Sequence, residues 1–211
     1  MQTRRMGQGG PMLPALGLGA MSFGGPYGPC SEAEAHAVLS CARDVGIVHL
    51  LFAGSFAVVD STLPIFAERQ HGFSPREVGY AFTVMGAVSA FAQALAIGWL
   101  VRRAGPLHAV TVGLVCFLIG HLAVAGSSDG AIMLVGLIAL AVGMSAFVAP
   151  ASNLVTATAA EDERGAVLGV FQGAGNLGRT LTPLFSGLLF TQLGARAPFF
   201  AAAILILPAL W

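Results

Sequence analysis

The sequence predicts an all-α membrane protein: six transmembrane helices behind a short irregular or α-helical N-terminal segment. The first observation behind this is composition, with 56% of the 211 residues hydrophobic, 9% charged and a mean hydropathy of +0.81. Soluble domains carry about 25% charged residues, so this chain has too few hydrated groups to cover an exterior that faces water. The second is patterning. From residue 46 onward, uncharged stretches long enough for a bilayer alternate with brief, turn-rich connections. The third is a constraint of the solvent: in hydrocarbon every backbone polar group must be satisfied within the structure, which favours helices over open sheets.

Each element follows from the spacing of charges and turn residues. Residues 1–45 differ in character, rich in Gly and Pro, with Glu32 and Glu34 opening a short helical pattern over 31–45 and a boundary near Asp44 that has no recognisable linker. A bilayer requires about 20 apolar residues per helix, and the spans fall at 46–67, 78–101, 107–126, 131–158, 166–190 and 198–211. The last is the shortest. Gly72 and Pro75, Gly105 and Pro106, and Gly130 punctuate the connections, and connections this short make consecutive helices antiparallel neighbours.

Charge narrows the function classes. All ten basic residues are arginines and they balance ten acidic ones, which argues against a nucleic-acid partner. Cys30, Cys41 and Cys116 are odd in number and lack metal-ligand spacing, so they read as free thiols. No metal site, phosphate loop or nucleophilic triad is visible, Gly17-Leu-Gly19 is too short for a dinucleotide motif, and no cofactor is implied. Arg4 and Arg5 lead into a Gly- and Pro-rich stretch instead of a compact apolar core, so no signal peptide is evident. Cytoplasmic loops are enriched in Arg. With the N-terminus inside, Arg4, Arg5, Arg43, Arg102, Arg103 and Arg164 are cytoplasmic, against Arg69, Arg76 and Arg196 outside.

Within the spans, Asp60 is the most informative residue, because a mid-helix aspartate costs about 2.5 to 3.5 kcal/mol on insertion scales. It requires a partner, a cavity or a proton. Arg179 carries a comparable penalty, and both are relieved if they face one interior cavity; the alternative is that one lies at the interface and snorkels to water. Gln93, Asn153, Gln172 and Asn176 accompany them, as substrate contacts or as interhelical hydrogen-bonding groups. Pro150 and Pro183 mark breaks or kinks, and His49 and His121 read as structural. Gly165, Gly169 and Gly173, four apart, and the pairs Gly113/Gly120 and Gly136/Gly143, seven apart, are expected to be seams of close helix approach or sliding surfaces.

These motifs carry a family resemblance. Residues from about 46 to 211 resemble the C-terminal six-helix half of a major facilitator superfamily transporter, near the bacterial drug- and sugar-efflux permeases. Gly98 to Gly105, with Arg102 and Arg103, resembles that family's cytoplasmic loop motif, with Arg102 at the usual Asp position and Pro106 at a usual basic one. Pro150 to Asn153 followed by Glu161 to Gly169 looks like the connection between its tenth and eleventh helices. Phe171 to Gly187, with Arg179 four residues before Pro183, resembles its eleventh helix, and Asp60 to Pro64 falls where relatives carry an acidic residue in the seventh. The first 49 residues resemble a second family, the aldo/keto reductases, in Thr3 to Gly7, Ala15 to Met21 and Ala42 to Gly46. That likeness ends before the second family's catalytic residues, and a (β/α) barrel does not close from one unit.

The first resemblance implies a multi-pass protein of the bacterial inner membrane. It would act in proton-coupled efflux of a small molecule, and a second six-helix half or a second copy would complete the pathway. A membrane-anchored reductase is the rival from another class. A third reading is an inactive product of fusion or truncation, to which the end at Trp211 and the missing linker point.

Overall fold

A computed structural model describes residues 3–5, 12–14, 32–157, 159 and 164–210, with side chains from residue 46 onward. The fold is helical. Two three-residue strands, β1 (Thr3–Arg5) and β2 (Met12–Pro14), pair antiparallel near the N-terminus. These two short strands stand in a segment expected to be irregular or α-helical. The rest of the reductase-like motif around Ala15 to Met21, the thiols of Cys30 and Cys41, the side chains of Arg4, Arg5 and Arg43, and Glu161 to Glu163 lie outside the described residues.

Helix α1 (Glu32–His71) is continuous. The short 31–45 helix and the membrane segment are therefore one rod, because nothing at Asp44 to Gly46 breaks it: Gly46 is a helical residue. Gly72, at φ +69°, turns the chain into α2 (Pro75–Phe91). The start of α2 is fixed by a capping box, with the Ser74 hydroxyl accepting from the Glu77 N–H and the Glu77 carboxylate accepting from the Ser74 N–H. A π-helical segment, Ala92–Ile97, joins α2 to α3 (Gly98–Ala104), so the three form one rod. Gly105, at φ +87°, is the whole connection to α4 (Pro106–Ala125), where Pro sits at the first helical position. Asp129 caps α5 (Gly130–Ala157), its Oδ1 accepting from the N–H groups of Ala131 and Ile132, both at 2.9 Å. Then come α6 (Arg164–Leu193) and α7 (Ala197–Ile206), the latter ending in a 3₁₀ turn over Leu207–Leu210. Pro208 has no N–H for the α-helical ladder, which is why the last segment does not run on as α-helix.

Four helical stretches are long and apolar enough to cross a membrane: Gly46–His71, Pro75–Ala104, Pro106–Ala125 and Gly130–Ala157. The 30-residue α6 has the length but not the hydropathy, since Gln172, Asn176, Arg179 and several Thr and Gly residues interrupt it. The segment Ala197–Leu210 is apolar but short.

The two most extensive helix contacts are α4 with α5 and α1 with α6. The first is the antiparallel neighbour pair that the short loop predicts. The second is not: α1 touches its sequence neighbour α2 only lightly and packs along α6, in parallel, with Gly46 near Ala174, Gly54 near Gly178 and Ser61 near Ser186. The core lies between these pairs, where Phe52 stacks on Phe147 (centroids 4.0 Å) and packs against Phe117 (4.3 Å). His121, fully buried on α4, donates from Nδ1 to the Phe117 carbonyl, while the Ser55 hydroxyl beside it donates to the Ala202 carbonyl and ties α1 to α7.

Candidate functional site

Glycine decides how closely the helices approach. On α4 and α5 the seven-residue spacing does what the sequence suggests: a Cβ at Gly113 would lie 2.9 Å from the Gly143 carbonyl, and one at Gly120 would lie 2.9 Å from the Gly136 carbonyl. On α6 the four-residue series fails as an internal seam. Cβ atoms at Gly165, Gly169 and Gly173 would meet nothing within 4 Å. The residues that admit α1 are Gly175, against the His49 ring, and Gly178, against the Leu50 carbonyl. His49 is held there by its Nδ1–H donating to the Phe171 carbonyl at 2.8 Å and by stacking on the Phe171 ring at 3.9 Å.

The polar residues of the spans share one property: Asp60, Gln93, Asn153, Gln172, Asn176 and Arg179 are all exposed in this chain. They come from α1, the π segment behind α2, α5 and α6. In contrast, α7 exposes Phe200, Ile204 and Leu205, and α4 beyond its first turns exposes Val112, Val115, Ile119 and Leu122. Thus α7 and α4 beyond its first turns expose apolar residues alone, whereas the helices that carry the polar groups expose them alongside large apolar residues such as Leu95, Val135, Leu184 and Phe185. Asp60 and Arg179 are near enough for their charges to attract. Among the described residues they do not close into an ion pair, and the Arg179 guanidinium lies over the Phe56 ring, Cζ 5.8 Å from its centroid. Gln93 sits inside the π-helical segment, a backbone irregularity that recurs at functional sites. Just before it, the Ser89 and Ser145 hydroxyls meet at 2.7 Å and pin α2 to α5.

The loop-motif residues follow directly, at the C-terminal end of that rod. Gly98 opens α3, Arg102 and Arg103 are exposed in its last turn, and Gly105 makes the tight turn. Arg103 lies over Trp99 at 5.1 Å, the pairing of a cation and an amphipathic ring that suits a membrane interface. Pro150 is buried within α5 and Pro183 exposed within α6; Pro64, inside α1, is a third in-helix proline. Cys116 is a free thiol on α4. No group of three or more His, Cys, Asp or Glu side chains able to hold a metal occurs among the described residues.

At the far end, three connections are tied together. The Ser127 hydroxyl donates to the Val124 carbonyl, His71 Nε2 donates to Ser127 Oγ at 2.9 Å, and Arg196 donates to the Ser127 carbonyl at 3.0 Å. The hydrogen bonds from Ile132, then Ser128 and Ala131, hold the Asp129 carboxyl below the ordinary carboxylate range, with the nearby His71 adding to the effect.

Sequence reasoning missed the Gly175/Gly178 contact, the π segment, and a cavity of about 240 Å³ between the C-terminal halves of α1 and α6, lined by Ser61, Thr62, Arg69, Ser186, Phe190 and Thr191 among others. The three-residue spacing of Gly175 and Gly178 was a visible signal for the first. Nothing in the sequence marks the other two.

A helical bundle with several bilayer-length apolar segments, close-packed on glycine and polar on part of its exterior, defines a multi-pass membrane protein. Residues 45–211 match the Major Facilitator Superfamily, and the chain belongs to that family. It is 28% identical over 150 residues to the uncharacterized MFS-type transporter YfnC of Bacillus subtilis (strain 168), covering 71% of this chain and 36% of that one. It is 25% identical over 170 residues to mouse major facilitator superfamily domain-containing protein 10, covering 79% and 36%. Among solved structures, the human organic anion transporter MFSD10 (TETRAN) superposes with a TM-score of 0.72 at 24% identity, over 86% of this chain and 42% of that one. The peptide transporter POT superposes with a TM-score of 0.71 at 20% identity, over 80% and 36%. The chain therefore spans 36 to 42% of the length of these relatives. The family match begins at residue 45 and leaves the reductase-like motifs at Thr3 to Gly7 and Ala15 to Met21 outside it.

Proposed function

We propose that this chain supplies one wall of the substrate pathway of a secondary transporter, and that α1, α2, α5 and α6 form that wall. The observation that carries this reading is the segregation of the exposed polar side chains onto those helices while α4 and α7 present hydrocarbon. Intramembrane charge persists where it faces a protein interior or a water-filled cavity, so the side bearing Asp60 and Arg179 is the one a second helical half, or a second copy, would cover. In such transporters the site lies near the midplane between repeats, and access alternates as one half rocks against the other. The open glycine face at Gly165, Gly169 and Gly173 suits close approach by that second half.

Within this reading Asp60 is the proton-carrying group and Arg179 the fixed cation beside it. Efflux coupled to proton entry is the direction the permease resemblance favours. The N-terminus lies on the cytoplasmic side of a bacterial inner membrane, on the arginine distribution given above. The test is to place the chain in sealed vesicles with an internal pH indicator and add a panel of organic anions and cations. The wild type is expected to show substrate-dependent proton flux. Asp60→Asn should abolish it while leaving substrate exchange intact, and unchanged proton flux in that variant removes the coupling role.

A further inference from the structure

We infer a small-anion site in the cavity between the C-terminal halves of α1 and α6, with Arg69 as its cationic anchor. The two helices touch most closely at Gly54 and Gly178, and their facing hydroxyls still meet at Ser61 and Ser186, 3.3 Å apart. Around and beyond that point, with Pro64 in α1 and Pro183 in α6, they leave the cavity of about 240 Å³. Its polar lining is one guanidinium and four hydroxyls, those of Ser61, Thr62, Ser186 and Thr191, and no carboxylate lines it.

That donor set selects charge. Among the described residues the Arg69 guanidinium makes no hydrogen bond or ion pair; it lies over the Phe190 ring, Cζ 5.3 Å from the centroid. Its five N–H groups are therefore free to fork onto a carboxylate in a fixed orientation. The hydroxyls donate to carbonyls of their own helices, Ser61 to Ala57 and Thr191 to Gly187. Such hydrogens turn toward an anion when one arrives, because a charged acceptor makes the stronger bond. Ile65, Pro183 and Phe190 supply an apolar wall, so the ligand class is a compact organic monocarboxylate with a hydrophobic body. The volume lies just below the usual range for ligand pockets, which suits a molecule of roughly the size of benzoate. The site deepens the transport reading by placing an anion-selective vestibule on the α1–α6 seam, but its occupancy is measurable without transport.

The experiment is equilibrium binding of radiolabelled benzoate to the purified chain in nanodiscs of zwitterionic lipid. Saturable binding is expected, with no competition by benzyl alcohol, its neutral analogue. Arg69→Gln should weaken it at least tenfold, Arg69→Lys less, and Ile65→Trp, which fills the cavity while keeping the arginine, should abolish it. Tight binding without flux in vesicles would leave the site standing and overturn the transport reading instead. Equal binding by wild type and Arg69→Gln overturns the site. So does co-purification of an anionic phospholipid that Arg69→Gln releases, with no benzoate binding, because the arginine then serves a lipid headgroup.

Discussion

The α4–α5 and α1–α6 pairs are built on the same device and put it to different use. In both, glycine lets one backbone reach the other. Along α4–α5 the contact is glycine against glycine in two places seven residues apart, with apolar side chains around it, and the cavity of about 380 Å³ beside its Leu107–Leu154 end is lined by apolar residues and Thr111. Along α1–α6 the close approach is confined to Gly54, Gly175 and Gly178, and the rest of the seam carries His49, paired hydroxyls, an in-helix proline on each side and a cavity. One pair is a fixed strut. The other has the chemistry and the interruptions expected of a wall that meets substrate.

The comparison is broken most directly at Gly178. A Cβ there runs into the Leu50 backbone, which cannot move aside as a side chain can, so Gly178→Leu should cost about 3 kcal/mol. Thermal unfolding in detergent checks this, and a wild-type melting temperature would mean that α1 and α6 do not pack as described. Gly143→Ala on the strut meets the Gly113 carbonyl at 2.8 Å and is expected to lose about 1 to 3 kcal/mol. Gly169→Ala and Gly173→Ala meet nothing within this chain. They should stay within about 0.5 kcal/mol of wild type and reduce flux only if a second half covers that face.

The smallest effect belongs to the loop end. Asp129→Ala removes the cap of α5 and should lower the melting temperature modestly at neutral pH. The folded-state carboxyl of Asp129 is held below its ordinary value. Its stabilisation is therefore present above the unfolded pKa and is lost as pH falls through the folded one. The gap between wild type and variant should close at pH below about 4.

The helices were legible because hydropathy and charge spacing are local properties, and the capping and turn residues at Ser74, Gly105 and Asp129 sit where those properties change. The α4–α5 seam was legible for the same reason: Gly113/Gly120 and Gly136/Gly143 repeat at the helical period on adjacent segments. Partner choice was not. Gly165, Gly169 and Gly173 have the stronger spacing on α6, yet α1 packs on Gly175 and Gly178, because what fixes the face is the bulk of His49 and Phe171 on the facing surfaces. The π segment around Gln93 follows the Ser89–Ser145 contact that pins α2 to α5, a tertiary contact with no sequence signature. Asp60 and Arg179 stood out by their cost in hydrocarbon, whereas Arg69, near a span end where arginine is cheap, did not.

The central claim is that this bundle has a water-accessible polar wall and a lipid-facing side. Single cysteines placed at Gln172, Asn176, Ile119 and Ile204, with Cys30, Cys41 and Cys116 replaced, can be challenged in native membranes with a membrane-impermeant maleimide. Reaction at positions 172 and 176 and protection at 119 and 204 is the predicted result. Protection at all four, or labelling on α4 and α7 alone, would contradict it.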